Sequence, residues 1–110
     1  MKSSSHDNFV LLKDEHNDIV EFAEFLPTIW QQFSSKNVIV DLSEYDQATL
    51  NQLLHFLELS NKHRATKQSF VIINKALSID QIPEELMVVP TLQEAQDIIE
   101  MEEIERDLGF

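Results

Sequence analysis

Residues 43–49 are the part of this sequence whose side chains could do chemistry. The segment brings hydroxyl and carboxylate groups together between an apolar run and the start of a helix. It reads Ser43, Glu44, Tyr45, Asp46, Gln47, Ala48 and Thr49. Because the start of a helix leaves backbone amides without partners, polar groups gathered there can take part in recognition. We therefore take residues 43–49 as the segment to compare with known binding modules.

Phosphate chemistry has little support elsewhere in the chain. The only glycine is Gly109, so no glycine-rich loop can hold a nucleotide phosphate. Asp41 ends an apolar run, as the phosphoacceptor of a receiver domain would, and Lys75 follows a later run. The acidic pair expected after the first strand could be supplied only by Asp14 and Glu15, so we favour a role for Asp41 in bracing the turn that follows it.

Metal and acid-base chemistry are no better supported. The four histidines are His6, His16, His55 and His63. None is two or four residues from another, as metal ligands often are. His55 and His63 could share one side of a helix, where we predict a solvated or hydrogen-bonded pair. Since abundant carboxylates without a pocket do not indicate catalysis, we predict a non-enzyme with no metal and no cofactor.

Length and composition favour one domain over residues 1–110, with a flexible N-terminus over residues 1–7. The sequence has no cysteine and no apolar run near the roughly 20 residues of a membrane span. Its first residues lack the apolar core of an export signal. We therefore expect a cytoplasmic protein.

The chain is acidic, with 20 Asp and Glu against 8 Lys and Arg and a net charge of −12. We therefore expect no nucleic-acid partner. Residues 59–79 carry basic groups and no acidic one, whereas residues 80–107 are strongly acidic with Arg106 as their one Lys or Arg. An acidic stretch of this kind is usually a solvated helix face, and the alternative is a docking site for a basic partner.

Strands and helices are expected to alternate four times. Short apolar runs predict strands at residues 9–12, 38–42, 70–73 and 87–89. Asp18 precedes the first helix, and Pro27 should break that helix near Phe25 and Leu26. We expect Asp46 to cap the second helix, which should bury Leu50, Leu53, Leu54 and Leu57.

A third, shorter helix is expected over residues 78–86, limited by Pro83. Thr91 and Glu94 have capping-box spacing before a final helix that ends at Gly109. Its expected apolar positions are Leu92, Ala95, Ile98, Ile99, Met101 and Leu108. Alternation of this kind predicts an α/β fold with parallel strands.

Two segments carry a resemblance to a known family. Residues 38–43 form an apolar strand ending in Asp-Leu-Ser, followed by Asp46 and Leu50 at the next helix, and residues 88–95 read Val-Val-Pro-Thr-Leu-Gln-Glu-Ala. They resemble the STAS domains of bacterial anti-sigma factor antagonists and sulfate-transporter regulatory modules. The resemblance implies about four mostly parallel strands alternating with four helices that lie on one face of the sheet. The family usually has a further N-terminal strand, for which this chain leaves little room.

The resemblance also implies a function. Members of the family bind a protein partner through this segment and release it when a serine in the first turn of the helix is phosphorylated. Gln47 occupies the place of that serine, with Ala48 beside it and Thr49 at the family's glycine. We therefore expect a regulatory module that binds an anti-sigma factor, a kinase-like protein or another regulator through residues 43–49. The usual switch should be missing, and Thr49 and Ser43 are the candidate sites of modification.

A second hypothesis is a structural protein that associates with itself or serves as an accessory subunit. If all helices lay on one face, strands such as residues 38–40 and 70–73 would leave apolar side chains on the other face. A homodimer formed through that face, or through the acidic C-terminal helix, would cover them.

Overall fold

A computed structural model of the chain describes residues 1–109. The strands of this part of the chain form a five-stranded mixed sheet. The strands run in chain order across the sheet: β1 Lys2–Ser5, β2 Val10–Lys13, β3 Val38–Asp41, β4 Phe70–Ile73 and β5 Val88–Val89. β1 is antiparallel to β2, and the other neighbouring strands are parallel. The α/β class predicted from the sequence is therefore confirmed, and the four predicted strands are parallel to one another. The fifth strand departs from the expected pattern of four strands alternating with four helices.

Strand β1 was not predicted. The segment Lys2–Ser5 has no apolar residue, and its four side chains are exposed. It pairs residue by residue with β2, from Lys2 opposite Lys13 to Ser5 opposite Val10. This strand forms because its backbone hydrogen-bonds to a neighbouring strand. Such bonding leaves no trace in the pattern of side chains. The expectation that the chain left little room for an N-terminal strand is wrong, and the strand lies within residues 1–7, for which we had predicted a flexible N-terminus.

The helical segments follow the local signals in part. They are α1 Ile19–Phe25, a 3-10 helix Leu26–Gln32, α2 Leu50–Leu54, α3 Leu57–Arg64, a 3-10 helix Ile79–Gln81 and α4 Leu92–Asp107. Asp18 caps α1 by accepting a hydrogen bond from the Glu21 amide at 3.0 Å. The change of helix type at Leu26, one residue before Pro27, confirms the predicted break.

Two helix predictions need correction. The second helix is divided into α2 and α3, and the turn between them places Phe56 in the core against Phe22. The helix expected over residues 78–86 is only the short 3-10 segment Ile79–Gln81, after which Ile82 is extended. Pro83 explains this, because a proline disfavours the helical conformation in the residue before it.

Helices cover both faces of the sheet. Val38, Val40, Phe70 and Ile72 point into one cluster with side chains from α1, α2 and α3. The alternate strand residues Ile39, Val71 and Ile73 point into a second cluster with Ala95 and Ile99 of α4. The expectation of helices on one face only is therefore wrong. Connections between successive parallel strands fall on one face, whereas α4 follows the last strand and is free to cross to the other.

Helix α4 begins and ends as predicted but buries fewer side chains. Thr91 accepts a hydrogen bond from the Glu94 amide at 3.1 Å, and Gly109 follows the helix with a φ of +81°. Ala95 and Ile99 are buried, whereas Leu92, Met101 and Leu108 are exposed. Over residues 1–109, no helix has the length and apolar character that crossing a membrane would require.

Candidate functional site

Three polar side chains lie where the parallel strands end. Asp14 follows β2, Asn74 follows β4, and Tyr45 lies in the loop between β3 and α2, residues 42–49, which we call the β3–α2 loop. The carboxyl ends of parallel strands form one edge of the sheet, the usual location of binding sites in α/β proteins. We call Asp14, Tyr45 and Asn74 the carboxyl-edge network.

Asn74 fixes the backbone of the β3–α2 loop. Its side-chain amide donates hydrogen bonds to the carbonyl oxygens of Leu42 and Tyr45, both at 2.9 Å. Its side-chain oxygen accepts a hydrogen bond from the Ala76 amide at 2.9 Å. Because Asn74 is buried, these bonds are shielded from competition with water. The first turn of the loop is thereby tied to the end of a neighbouring strand.

Tyr45 fixes the same loop through its side chain. Its hydroxyl donates a short hydrogen bond to Asp14 Oδ2, which also accepts the Asp18 amide at 3.0 Å. Asp14 Oδ1 accepts the His16 amide at 2.9 Å. The Asp14 carboxylate is buried, so these three bonds replace its hydration.

The bonds change the pKa of both groups. Burial acts to raise the pKa of Asp14, but the hydrogen bonds from Tyr45 and from the amides of His16 and Asp18 outweigh it and lower the pKa. Burial, reinforced by the hydrogen bond to Asp14 and its charge, raises the pKa of Tyr45. An ionised Asp14 beside a neutral Tyr45 makes a stable brace. Both oxygens of Asp14 are engaged, so it is poorly suited to act as a general base.

The structure divides the predicted site residues into two groups. Ser43, Glu44, Asp46, Gln47 and Thr49 are exposed. Ala48 is buried in the core and Tyr45 is half-buried, so neither offers a free side chain to a partner. Asp41 Oδ1 accepts the Ser43 amide at 2.9 Å, which confirms that Asp41 braces the turn.

The helix start lies later than we predicted. Thr49 is the N-cap of α2, and its hydroxyl accepts the Gln52 amide at 3.2 Å. Gln52 Oε1 accepts the Thr49 amide at 2.9 Å in return. Asp46 therefore does not cap the helix, and Gln47 precedes the helix instead of lying in its first turn. The spacing from Thr49 to Gln52 is a capping box that the sequence contained and our interpretation missed.

Replacing Thr49 with alanine should lower the free energy of unfolding by about 1 kcal/mol, because an amide of α2 loses its acceptor. Urea denaturation followed by circular dichroism would measure the change. Ser43→Ala is the matched control, since Ser43 is bonded through its backbone amide. Equal destabilisation by the two substitutions would contradict the capping role.

An open groove of about 590 Å³ separates the β3–α2 loop from the start of α1. Its lining includes the carboxylates of Asp18, Glu44 and Asp46 together with the amide of Gln47. Glu44 is paired with Lys13 at 2.9 Å. Asp18 and Asp46 still leave the groove acidic, so it suits hydrogen-bond donors or a basic side chain.

The histidines do not form the predicted pair. His63 is buried, accepts a hydrogen bond at Nδ1 from Trp30 Nε1 at 3.0 Å and bonds through Nε2 to the Lys36 carbonyl at 2.7 Å. His55 is exposed and contacts the Asn51 carbonyl at 2.8 Å. Within residues 1–109, no group of three or more histidine or acidic side chains is arranged to hold a metal ion.

Comparison with known proteins adds no family to this picture. No family model matches the sequence. No curated protein matches it either. The geometry of the β3–α2 loop is therefore the main guide to function.

Proposed function

We propose that this chain is a non-catalytic, protein-binding regulatory module that uses the exposed part of the β3–α2 loop as its contact surface. The proposal rests on one observation. Hydrogen bonds from Asn74, and the bond from Tyr45 to Asp14, hold the loop in place, while five of its polar side chains are exposed. A loop that is already ordered pays less conformational entropy on binding. Exposed loops on a rigid scaffold are common recognition sites.

The charge of the loop and groove indicates the chemistry of the partner. Glu44 and Asp46 on the loop and Asp18 across the groove present carboxylates to solvent. A partner surface that offers lysine, arginine or amide donors would complement them. The resemblance to anti-sigma factor antagonists makes an anti-sigma factor, a kinase-like protein or another cytoplasmic regulator the partner we favour.

The proposed module works without the family's phosphoserine switch. Gln47 has no hydroxyl group to accept a phosphoryl group, and the hydroxyl of Thr49 is engaged as the cap of α2. Ser43 is exposed at the turn. Of the two candidate sites of modification, Thr49 has its hydroxyl engaged as a cap, so Ser43 is the better candidate.

Replacing Gln47 with glutamate should weaken partner binding by roughly tenfold, which corresponds to about 1.4 kcal/mol. Glutamate lacks the amide N–H donor of Gln47 and places in this position the negative charge with which phosphorylation releases the partner in the family that the sequence resembles. Gln47 is exposed, so the free energy of unfolding should hardly change. The partner would be captured from a cell extract with the wild-type protein, purified, and titrated calorimetrically against each variant.

Gln32→Glu is the matched control, because Gln32 is an exposed glutamine in the 3-10 helix Leu26–Gln32, away from the loop. It adds the same charge and should leave the affinity unchanged. Equal affinities for wild type and Gln47→Glu would remove the β3–α2 loop as the contact surface.

A further inference from the structure

The outer side of α4 carries exposed apolar side chains. Met101 is 53% exposed, Ile104 is 59% exposed and Leu108 is 64% exposed. Successive residues of a helix are about 100° apart, so positions 101, 104 and 108 fall on one stripe. Ala95 and Ile99, the buried residues of α4, fall on the opposite side. We call Met101, Ile104 and Leu108 the outer stripe.

Polar bonds hold α4 in this orientation. Glu102 accepts a hydrogen bond from Arg64 of α3 at 2.7 Å and another from Ser69 at 2.5 Å. Arg106 donates to Asn37 at 3.2 Å. These bonds lie on the sheet side of α4 and join it to α3 and to the residues just before β3 and β4. Rotating α4 to bury the outer stripe would break all of them, so the stripe faces outward as part of the folded structure.

Acidic side chains border the outer stripe. Glu100 and Asp107 lie on one side of it, Glu105 on the other, and Asp97 is one turn before Met101; all four are exposed. The guanidinium of Arg106 reaches toward Ser69 and Asn37, so its charge lies on the sheet side. Lys67 and Arg106 line a shallow groove together with Ile104, Glu100 and Asp107. The surface is thus apolar along its centre and acidic along its edges.

We propose that the outer stripe binds a basic amphipathic helix of a partner protein. Apolar residues at helical spacing on the partner would cover Met101, Ile104 and Leu108, and its flanking lysines or arginines would pair with the acidic borders. The site is separate from the β3–α2 loop and does not depend on the function proposed for that loop.

A second copy of the chain fits this surface less well. Two α4 helices packed through their outer stripes would bring the acidic borders of both copies together, and like charges at an interface are unfavourable. A stable interface also needs about 800 Å² from each partner, which three side chains cannot supply. A basic helix would gain additional contact, because its lysine or arginine side chains would pair with the acidic borders.

The probe is a synthetic peptide of about 18 residues made only of leucine and lysine, with leucine at helical spacing. A peptide of the same composition in scrambled order controls for charge alone. Calorimetric titration should show that the wild-type protein binds the patterned peptide at least about tenfold more tightly than the scrambled one. Binding should weaken as ionic strength rises, because the acidic borders contribute to it.

The double substitution of Met101→Ser with Ile104→Ser should weaken binding of the patterned peptide at least about tenfold. Leu92→Ser with Ile79→Ser is the matched control, since it removes two exposed apolar side chains outside the stripe and should have no effect. The Gln47→Glu variant should bind the patterned peptide as the wild type does. A negative result for the β3–α2 loop would therefore be distinguishable from a negative result for the outer stripe.

Three results would overturn the proposal. They are equal binding of the patterned and scrambled peptides, equal weakening by the two double substitutions, and sedimentation of the wild type as a dimer that Met101→Ser with Ile104→Ser dissociates. The last result would assign the outer stripe to a second copy of the chain.

Discussion

Replacing Asp14 with alanine should lower the free energy of unfolding by about 3 kcal/mol. The substitution leaves the Tyr45 hydroxyl and the amides of His16 and Asp18 without their acceptor in a part-buried site. Each donor stranded in this way costs about 1–3 kcal/mol when water cannot reach it. Urea denaturation would measure the loss, and Asp46→Ala, which removes an exposed carboxylate from the β3–α2 loop, is the matched control.

A double-mutant cycle isolates the bond between Asp14 and Tyr45. Asp14→Asn keeps the shape of the side chain, and Tyr45→Phe removes only the hydroxyl. We expect the two changes to be non-additive by about 1 kcal/mol or more, because they disrupt one shared hydrogen bond. Additive effects, or an Asp14→Ala variant as stable as Asp46→Ala, would contradict the bracing role of the carboxyl-edge network.

The same bonds affect stability at low pH. The hydrogen bonds to Asp14 hold its folded-state pKa below the unfolded value of about 3.9. The contribution of the carboxylate is therefore complete above about pH 4 and is lost as the pH falls through the folded-state pKa. Loss of stability that begins well above pH 4 must come from another group.

The free energy of unfolding should fall between pH 6.5 and pH 5 because of His63, by at most about 1.6 kcal/mol, the limit for a histidine that stays neutral in the folded chain. Burial lowers the pKa of His63, the hydrogen bond to the Lys36 carbonyl partly offsets this, and the nearby charge of Arg64 adds to the lowering. As the pH drops below the unfolded value of about 6.5, the unfolded chain takes up a proton before the folded chain does. Stability is therefore complete above pH 6.5 and declines below it.

The hydrogen bonds explain why protonation is resisted. Trp30 Nε1 is only a donor, so His63 Nδ1 must be the acceptor and Nε2 must carry the proton that bonds to Lys36. A second proton on Nδ1 would face the indole N–H and break that bond. Trp30 is the single tryptophan, so its fluorescence reports on this contact directly.

The test compares urea denaturation of the wild type and two variants between pH 5 and pH 8. His55→Gln, at an exposed histidine, should keep the decline below pH 6.5, whereas His63→Gln should flatten it. NMR titration of the wild type would follow His63 itself if the His63 variant is too unstable to fold. An ordinary pKa for His63, or the same pH profile in both variants, would contradict the prediction.

Strong local signals predicted much of the fold. The unbroken apolar run of residues 70–73 makes a buried central strand, because such side chains gain most when both faces of a sheet are covered. Pro27 ends α1 through its missing backbone donor, and Thr91 starts α4 through its hydroxyl. Each of these effects acts within one turn of the chain, so it can be read from neighbouring residues.

The sequence pattern located the candidate loop but not the hydrogen bonds that hold it. The sequence singled out residues 43–49, of which five proved exposed, and it missed the capping box between Thr49 and Gln52. It gave no indication that Asn74 holds the backbone of the loop or that Asp14 receives the Tyr45 hydroxyl. Those partners are separated from the loop by about 30 residues, and no local spacing connects them.

The sequence by itself determined the acidic charge, the α/β alternation and the polar loop after β3, because composition, periodicity and caps are properties of short stretches. Only the tertiary structure decided that β1 pairs at the edge of the sheet, that His63 is buried, and that α4 covers the second face with Met101, Ile104 and Leu108 outward. The physical reason is that each of these outcomes depends on which distant surface is left uncovered when the chain folds. Burial and pairing of that kind are settled by the whole assembly of elements.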